Sequence, residues 1–232
     1  MHIPPDDHHR DVTGGALRAG VFGAMDGMVS NFALVAGVIG GGAGRTTVIL
    51  TGLAGLAAGA FSMAVGEYTS VRSQEEATLA EIEKEKIEIQ RNPVGETAEL
   101  ALIYQGYGVS PELAEQVAHQ ITMDPEQSWR VHAREELGVD PDDLPSPYVA
   151  AGSSFVCFAL GALVPILTFL LGFDSLLAAS VVSAVGLFAT GAVVSRLAGR
   201  SRLTGGLRQL VLGAAAAALT YGVGSLIGTG LG

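Results

Sequence analysis

Runs of apolar positions broken by short polar interruptions fill most of the chain, and one long polar stretch divides them. A hydrocarbon core about 30 Å thick takes roughly 20 mostly apolar residues at 1.5 Å rise each. Five runs reach that length: Leu17–Ile39, Val48–Val71, Val149–Leu171, Leu176–Leu197 and Leu207–Ile227. The pattern predicts an all-α membrane protein of five transmembrane helices, two within residues 15–71 and three within 148–232, with a small helical cytoplasmic domain at 72–147. Residues 1–14 read as a flexible polar start. They lack the basic end and short apolar core of a cleaved signal, so the first span is expected to stay in the mature protein.

Composition sharpens this picture. Of 232 residues 49% are hydrophobic and 16% charged, against about 25% charged in a typical soluble domain. The formal charge is nevertheless −10, and its location explains the mismatch: residues 72–147 hold 17 of the 23 acids and 6 of the 13 bases, for −11, and the rest sums to +1. The acidity argues against nucleic acid as a partner. A single cysteine, Cys157, excludes a disulfide framework and a multi-cysteine zinc site.

Basic residues are retained on the cytoplasmic side of a membrane. Arg10 and Arg18, six bases of the insert, and Arg196, Arg200, Arg202 and Arg208 fall on one side of five alternating spans, with only Arg45 on the other. That distribution places the amino terminus and the insert in the cytoplasm. Glycine is abundant, 32 residues. Gly23/Gly27, Gly37/Gly41, Gly55/Gly59 and Gly224/Gly228 have the four-residue spacing that lets helix backbones approach closely in lipid. Gly40–Gly42 and Gly205-Gly206 read as breaks between spans.

An acid inside the bilayer is costly, roughly 2.5–3.5 kcal/mol, and should face a polar pathway or a partner. Asp26 lies in the first span and Glu67 near the cytoplasmic end of the second, with Met63 one turn before it. Because the two spans run in opposite directions, the three side chains are expected at similar depth. Two carboxylates with a thioether suit a borderline transition metal, since sulfur disfavours Mg(II) and Ca(II). Spacing alone equally fits Asp26 bonding a neighbouring helix, Glu67 reaching the interface and Met63 packing. Pro165 in the third span reads as a kink.

In the insert, residues 73–91 contain no helix breaker and continue the second span as a stalk. Asn92-Pro93 stops it; helices follow at about 95–106, after Ser110-Pro111-Glu112, and from Asp124-Pro125-Glu126 to Gly138. Asp140 to Pro147 is a linker. Glu85/Glu88, Glu96/Glu99 and His132/Glu136 are three or four apart, so each pair shares a helix face. Each such face could equally be a solvated charge face. Three meeting faces would make a cluster of carboxylates with one imidazole, whose mutual repulsion a cation would relieve.

The segments Asp26-Gly-Met-Val-Ser-Asn-Phe-Ala-Leu-Val-Ala-Gly37, Ser62-Met-Ala-Val-Gly-Glu-Tyr68 leading to Ser73-Gln74-Glu75, the glutamate-rich stalk and Glu135-Glu-Leu-Gly138 closely resemble the vacuolar iron transporter family over roughly residues 15–230. The resemblance implies a homodimer that exports Fe(II), and often Mn(II), from the cytosol in exchange for protons. The metal is then substrate, with no permanently bound cofactor. It assigns the membrane pathway to Asp26 and Met63 with Glu67 adjacent, and metal collection to Glu85, Glu88, Glu96, Glu99 and Glu136. His132-Ala133 stands where better-known members of that family have a methionine pair, so an imidazole would replace a thioether and add sensitivity to pH.

Two rivals are a metal sensor or scaffold, which has no need of Asp26 in the bilayer, and a membrane-attached di-iron ferroxidase. Di-iron bundles use Glu-x-x-His pairs. Here Gln116 and Trp129 stand three before His119 and His132, which argues against an enzyme. His2, His8 and His9 read as part of a polar tail. Eleven Arg against two Lys, with abundant Ala and Gly, suggests a bacterial protein of the cytoplasmic membrane.

Overall fold

Residues 15–230 are described in this computed structural model of the chain; residues 1–14, with Arg10, His2, His8 and His9, lie outside the described residues. Among the described residues eight helices follow one another: α1 (Gly15–Gly40), α2 (Arg45–Arg91), α3 (Pro93–Gly106), α4 (Pro111–Thr122), α5 (Pro125–Glu135), α6 (Pro147–Leu170), α7 (Leu176–Leu197) and α8 (Arg202–Gly230). No strand occurs among the described residues. Five helices, α1, α2, α6, α7 and α8, are long and apolar enough to cross a membrane, so the chain is an all-α, multi-pass membrane protein. It divides into two compact units, one from Ser70 to Ser146 and one from the remainder.

In the membrane unit α1 is the central helix, packed against α6, α8 and α7. Small residues make this possible. A β-carbon at Gly23 would lie 2.6 Å from the Ser154 carbonyl oxygen, and one at Gly27 would strike the backbone at Phe158. Gly161 of α6 returns the contact against Ala24. On the other flank, Gly37, Gly40 and Gly41 meet α8 at Thr220, Tyr221, Gly224 and Gly228, and the Thr220 hydroxyl donates to the Ala33 carbonyl at 2.5 Å. In lipid, where apolar burial gives helices no drive to associate, close backbone approach and such hydrogen bonds supply it. The wider side chains interleave between these crossings. Met28, Phe32 and Ala36 pack with Leu187 and Ala217, while Val35 and Val48 pack with Ile166, Phe169 and Ala179.

One expectation is corrected. Gly205-Gly206 is not a break, because α8 begins at Arg202 and runs through both. Gly205 lies against Gly191 and Ser195 of α7, and Gly206 lies under the Phe188 ring. Here the pair serves a helix crossing; the chain reverses earlier, at Gly199, whose φ of +67° is left-handed and suits glycine.

The insert unit is the distal part of α2 with α3, α4 and α5. Its core is Leu100 and Ala101 of α3 with Ala114 and Ala118 of α4, flanked by Val131 of α5. Asn92 caps α3 by accepting from the Gly95 N–H, and Asp124 caps α5 by accepting from Glu126 and Gln127. Both helices start on the proline after the cap, where its missing N–H costs nothing. Ser110 precedes α4 without a side-chain cap bond. The last helix stops at Glu135 rather than at Gly138: the Val139 N–H turns back to the Ala133 carbonyl at 3.2 Å while Gly138 takes φ +66°. The linker beyond is tied to α5 by Arg130 to Asp142 and by Arg134 to Asp140.

Candidate functional site

Glu85 of α2, Glu96 in the first turn of α3, His132 of α5 and Glu136 just past α5 each present a ligand atom within 4.8 Å of the others. Local structure sets this up. The Asn92 cap and Pro93 start α3 so that Glu96 falls in its first turn, and α5 carries His132 one turn before Glu136, whose N–H donates to the His132 carbonyl. His132 Nδ1 lies 2.7 Å from Glu136 Oε1, 3.2 Å from Glu85 Oε1 and 4.0 Å from Glu96 Oε2. His132 is wholly buried and Glu85 and Glu96 nearly so, while Glu136 keeps some exposure.

The electrostatics are those of crowded acids. Burial pushes the Glu85 carboxyl up to about 7, with Glu136, Glu96 and Glu88 adding to the rise and His132 opposing it. Glu96 is raised for the same first reason, burial, with His132 opposing and Glu136, Glu99 and Glu88 reinforcing. Two buried atoms of the cluster, Glu85 Oε1 and His132 Nε2, have no hydrogen-bond partner. Buried polar atoms are nearly always satisfied; three carboxylates and an imidazole gathered with two such atoms make a donor set for a divalent transition metal. Glu88 and Glu99 remain exposed outside this group, although their charges reach it.

In the membrane unit a cavity of about 260 Å³ opens between α1 and α2, backed by Phe158 of α6. Asp26, Asn31 and Met63 line it, with the hydroxyls of Ser30 and Ser62. Gly55 and Gly59 on α2 leave room for the side chains of Leu34, Asn31 and Phe158. Asp26 is exposed on this face, and the Ser30 hydroxyl donates to the Asp26 carbonyl at 2.6 Å. Asn31 is buried; its Nδ2 donates to the Ala162 carbonyl at 2.5 Å and its Oδ1 is unpartnered. The structure thus brings Asp26 and Met63 to one cavity. Glu67 does not line it and is bound instead to Arg18 at 2.8 Å. Sequence reasoning passed over Asn31, whose signal was an amide in the middle of an apolar run, five residues after Asp26.

Comparison with known proteins follows the same outline. A model of the VIT family matches residues 17–225. A vacuolar iron transporter of Acanthamoeba castellanii is 39% identical over 92% of this chain and 79% of its own length. Vacuolar iron transporter 1 of Arabidopsis thaliana is 30% identical over 93% of this chain and 88% of its own. A vacuolar iron transporter of Toxoplasma gondii is 31% identical over 95% and 77%. These relatives are named as transporters, not enzymes, and a match through all five spans and the insert makes this chain a member of the VIT family.

Proposed function

We propose that this protein carries Fe(II), with Mn(II) as a second substrate, across the membrane out of the cytosol in exchange for protons, working as a homodimer. The observation that carries the reading is the membrane cavity that joins Asp26, Asn31 and Met63. An oxygen-rich site with one thioether, placed within spanning helices, has no use in a sensor and a direct one in ion passage. The names of the relatives supply the substrate. Asp26 holds either metal or proton, which is the requirement for exchange, and Met63 favours softer ions over Mg(II) and Ca(II). The insert cluster of Glu85, Glu96, His132 and Glu136 collects the ion on the cytoplasmic side, with the Glu88 and Glu99 charges drawing cations toward it.

Exposure supports the dimer. Asp26 and Ser62 are exposed on the open side of the cavity, and a carboxylate facing acyl chains is costly, so a second copy closes that side. The arginine distribution supports an amino terminus and insert in the cytoplasm, and the Arg-rich composition supports a bacterial cytoplasmic membrane. The test is uptake of each ion into proteoliposomes with and without a pH gradient. Fe(II) uptake should depend on the gradient and fall to background in Asp26→Asn; undiminished uptake by that variant would sink the proposal.

A further inference from the structure

Beyond Asp174 this sequence carries no acid, yet Arg196, Arg200, Arg202 and Arg208 cluster about the turn between α7 and α8. All four are exposed, and among the described residues no ion pair engages any of them. The turn holds them together: the Arg200 N–H donates to the Ser195 carbonyl at 2.7 Å, closing α7 at Gly199, and α8 starts at Arg202 with its first amide N–H groups facing the same turn. In the insert, by contrast, Arg72, Arg130 and Arg134 each have carboxylate partners.

Beside this turn lies an apolar groove of about 390 Å³. It runs along α1 from Ala16 to Met25 and is walled by the start of α6 and by Ala189 to Val194 of α7. Its span on α1 is about 14 Å at 1.5 Å per residue, close to half of a hydrocarbon core about 30 Å thick. Its hydroxyls are turned inward: Ser153 donates to the Ala16 carbonyl at 2.7 Å and Thr190 to the Gly186 carbonyl at 2.9 Å. With those protons committed the wall is largely apolar and suits an acyl chain. Val193, which lines the groove, and Arg196 are three apart on α7 and share a face, and helical side chains lean toward the amino end, which directs the Arg196 side chain toward the groove's end.

We propose that this groove and the arginines at its end form a binding site for an anionic phospholipid, one acyl chain in the groove and the headgroup phosphate on Arg196, Arg200 and Arg202. Guanidinium groups pair with phosphate oxygens two at a time, and basic side chains at a membrane surface attract anionic headgroups. The groove shares no lining residue with the Asp26 cavity, and the proposal does not depend on what the protein transports.

The test is native mass spectrometry of the full chain in detergent, titrated with phosphatidylglycerol or phosphatidylcholine of the same acyl chains. The wild type should retain phosphatidylglycerol at least about ten-fold more strongly, and the triple variant Arg196→Gln, Arg200→Gln, Arg202→Gln should retain the two lipids equally. Val193→Trp, which leaves every charge in place, should weaken both lipids. It carries the test if the triple variant fails to insert. Equal retention by the wild type, an undiminished preference in the triple variant or unaltered binding by Val193→Trp would overturn the proposal. So would complete displacement of the lipid by millimolar inorganic phosphate, which would mean an anion site without a chain.

Discussion

Glu85 meets two opposed demands: α2 buries it beside two further carboxylates, and the imidazole at 3.2 Å only partly offsets the crowding. Its carboxyl rises from an ordinary value near 4.5 to about 7. An acid raised on folding contributes stability that is fully present below the unfolded value and is lost as pH rises through the folded one. The metal-free protein should therefore lose stability between pH 4.5 and 7, whereas a bound cation restores it by replacing the proton. Thermal unfolding of the full chain should show a larger upward shift on adding Mn(II) at pH 8 than at pH 6, and an equal shift at both would contradict this. Glu85→Gln should raise the melting temperature of the metal-free protein at pH 8 and shrink the metal-induced shift. Asn31 offers a second test at this scale. Asn31→Ala removes the bond to Ala162, worth about 1 kcal/mol, together with an oxygen of the membrane cavity. Metal uptake should fall by more than the modest loss of stability explains, as read from transport and melting of the same preparation.

Among the elements, the helices with one surrounding were the most legible. Leu176–Leu197 has the same bounds as apolar run and as helix, because lipid at every depth selects for the same residue types. The α8 start was misread because a glycine pair has two uses, a turn or a close crossing, and only the presence of Gly191 and Ser195 opposite Gly205 decides between them. Of the six insert residues marked by helical spacing, four have ligand atoms within 4.8 Å of one another. Glu88 and Glu99 lie outside that group because residues three apart on a helix are offset around the axis, so one member of each of these two pairs enters it, whereas His132 and Glu136, four apart, both do. The tertiary direction that makes the choice leaves no mark in the spacing. Two predictions belong here. Gly27→Leu drives a side chain into the α6 backbone at Phe158 and should destabilise the membrane unit by roughly 1–3 kcal/mol or more, read as earlier aggregation in a detergent thermal ramp. Asp124→Ala removes the α5 cap, costing about 1 kcal/mol, and should weaken metal binding through His132 and Glu136 while leaving the residues of the membrane cavity untouched.

Over the whole molecule, the charge of −10 resolves into an insert that carries most of the acid and a membrane unit that is nearly neutral but holds an exposed carboxylate, Asp26, within a spanning helix. An exposed acid on a spanning helix needs a polar neighbour, and the residues beside it within the chain offer only hydroxyls, the Asn31 amide and a thioether. A second copy placed over the cavity would give each Asp26 the other's donors and would enclose a path along a two-fold axis, where one patch meets itself. Ser62, which is exposed and lines the cavity, would then face the partner, while Leu219 of α8, 72% exposed, would face lipid. With Cys157 replaced by serine, Ser62→Cys should be joined to its partner by a short bifunctional thiol reagent in native membranes, and Leu219→Cys should not. The same linkage should trap the metal path and reduce uptake by Ser62→Cys. Cross-linking at Leu219 alone would move the interface to α8 and leave Asp26 to lipid, a position its charge makes untenable, so that result would remove the dimeric pathway altogether.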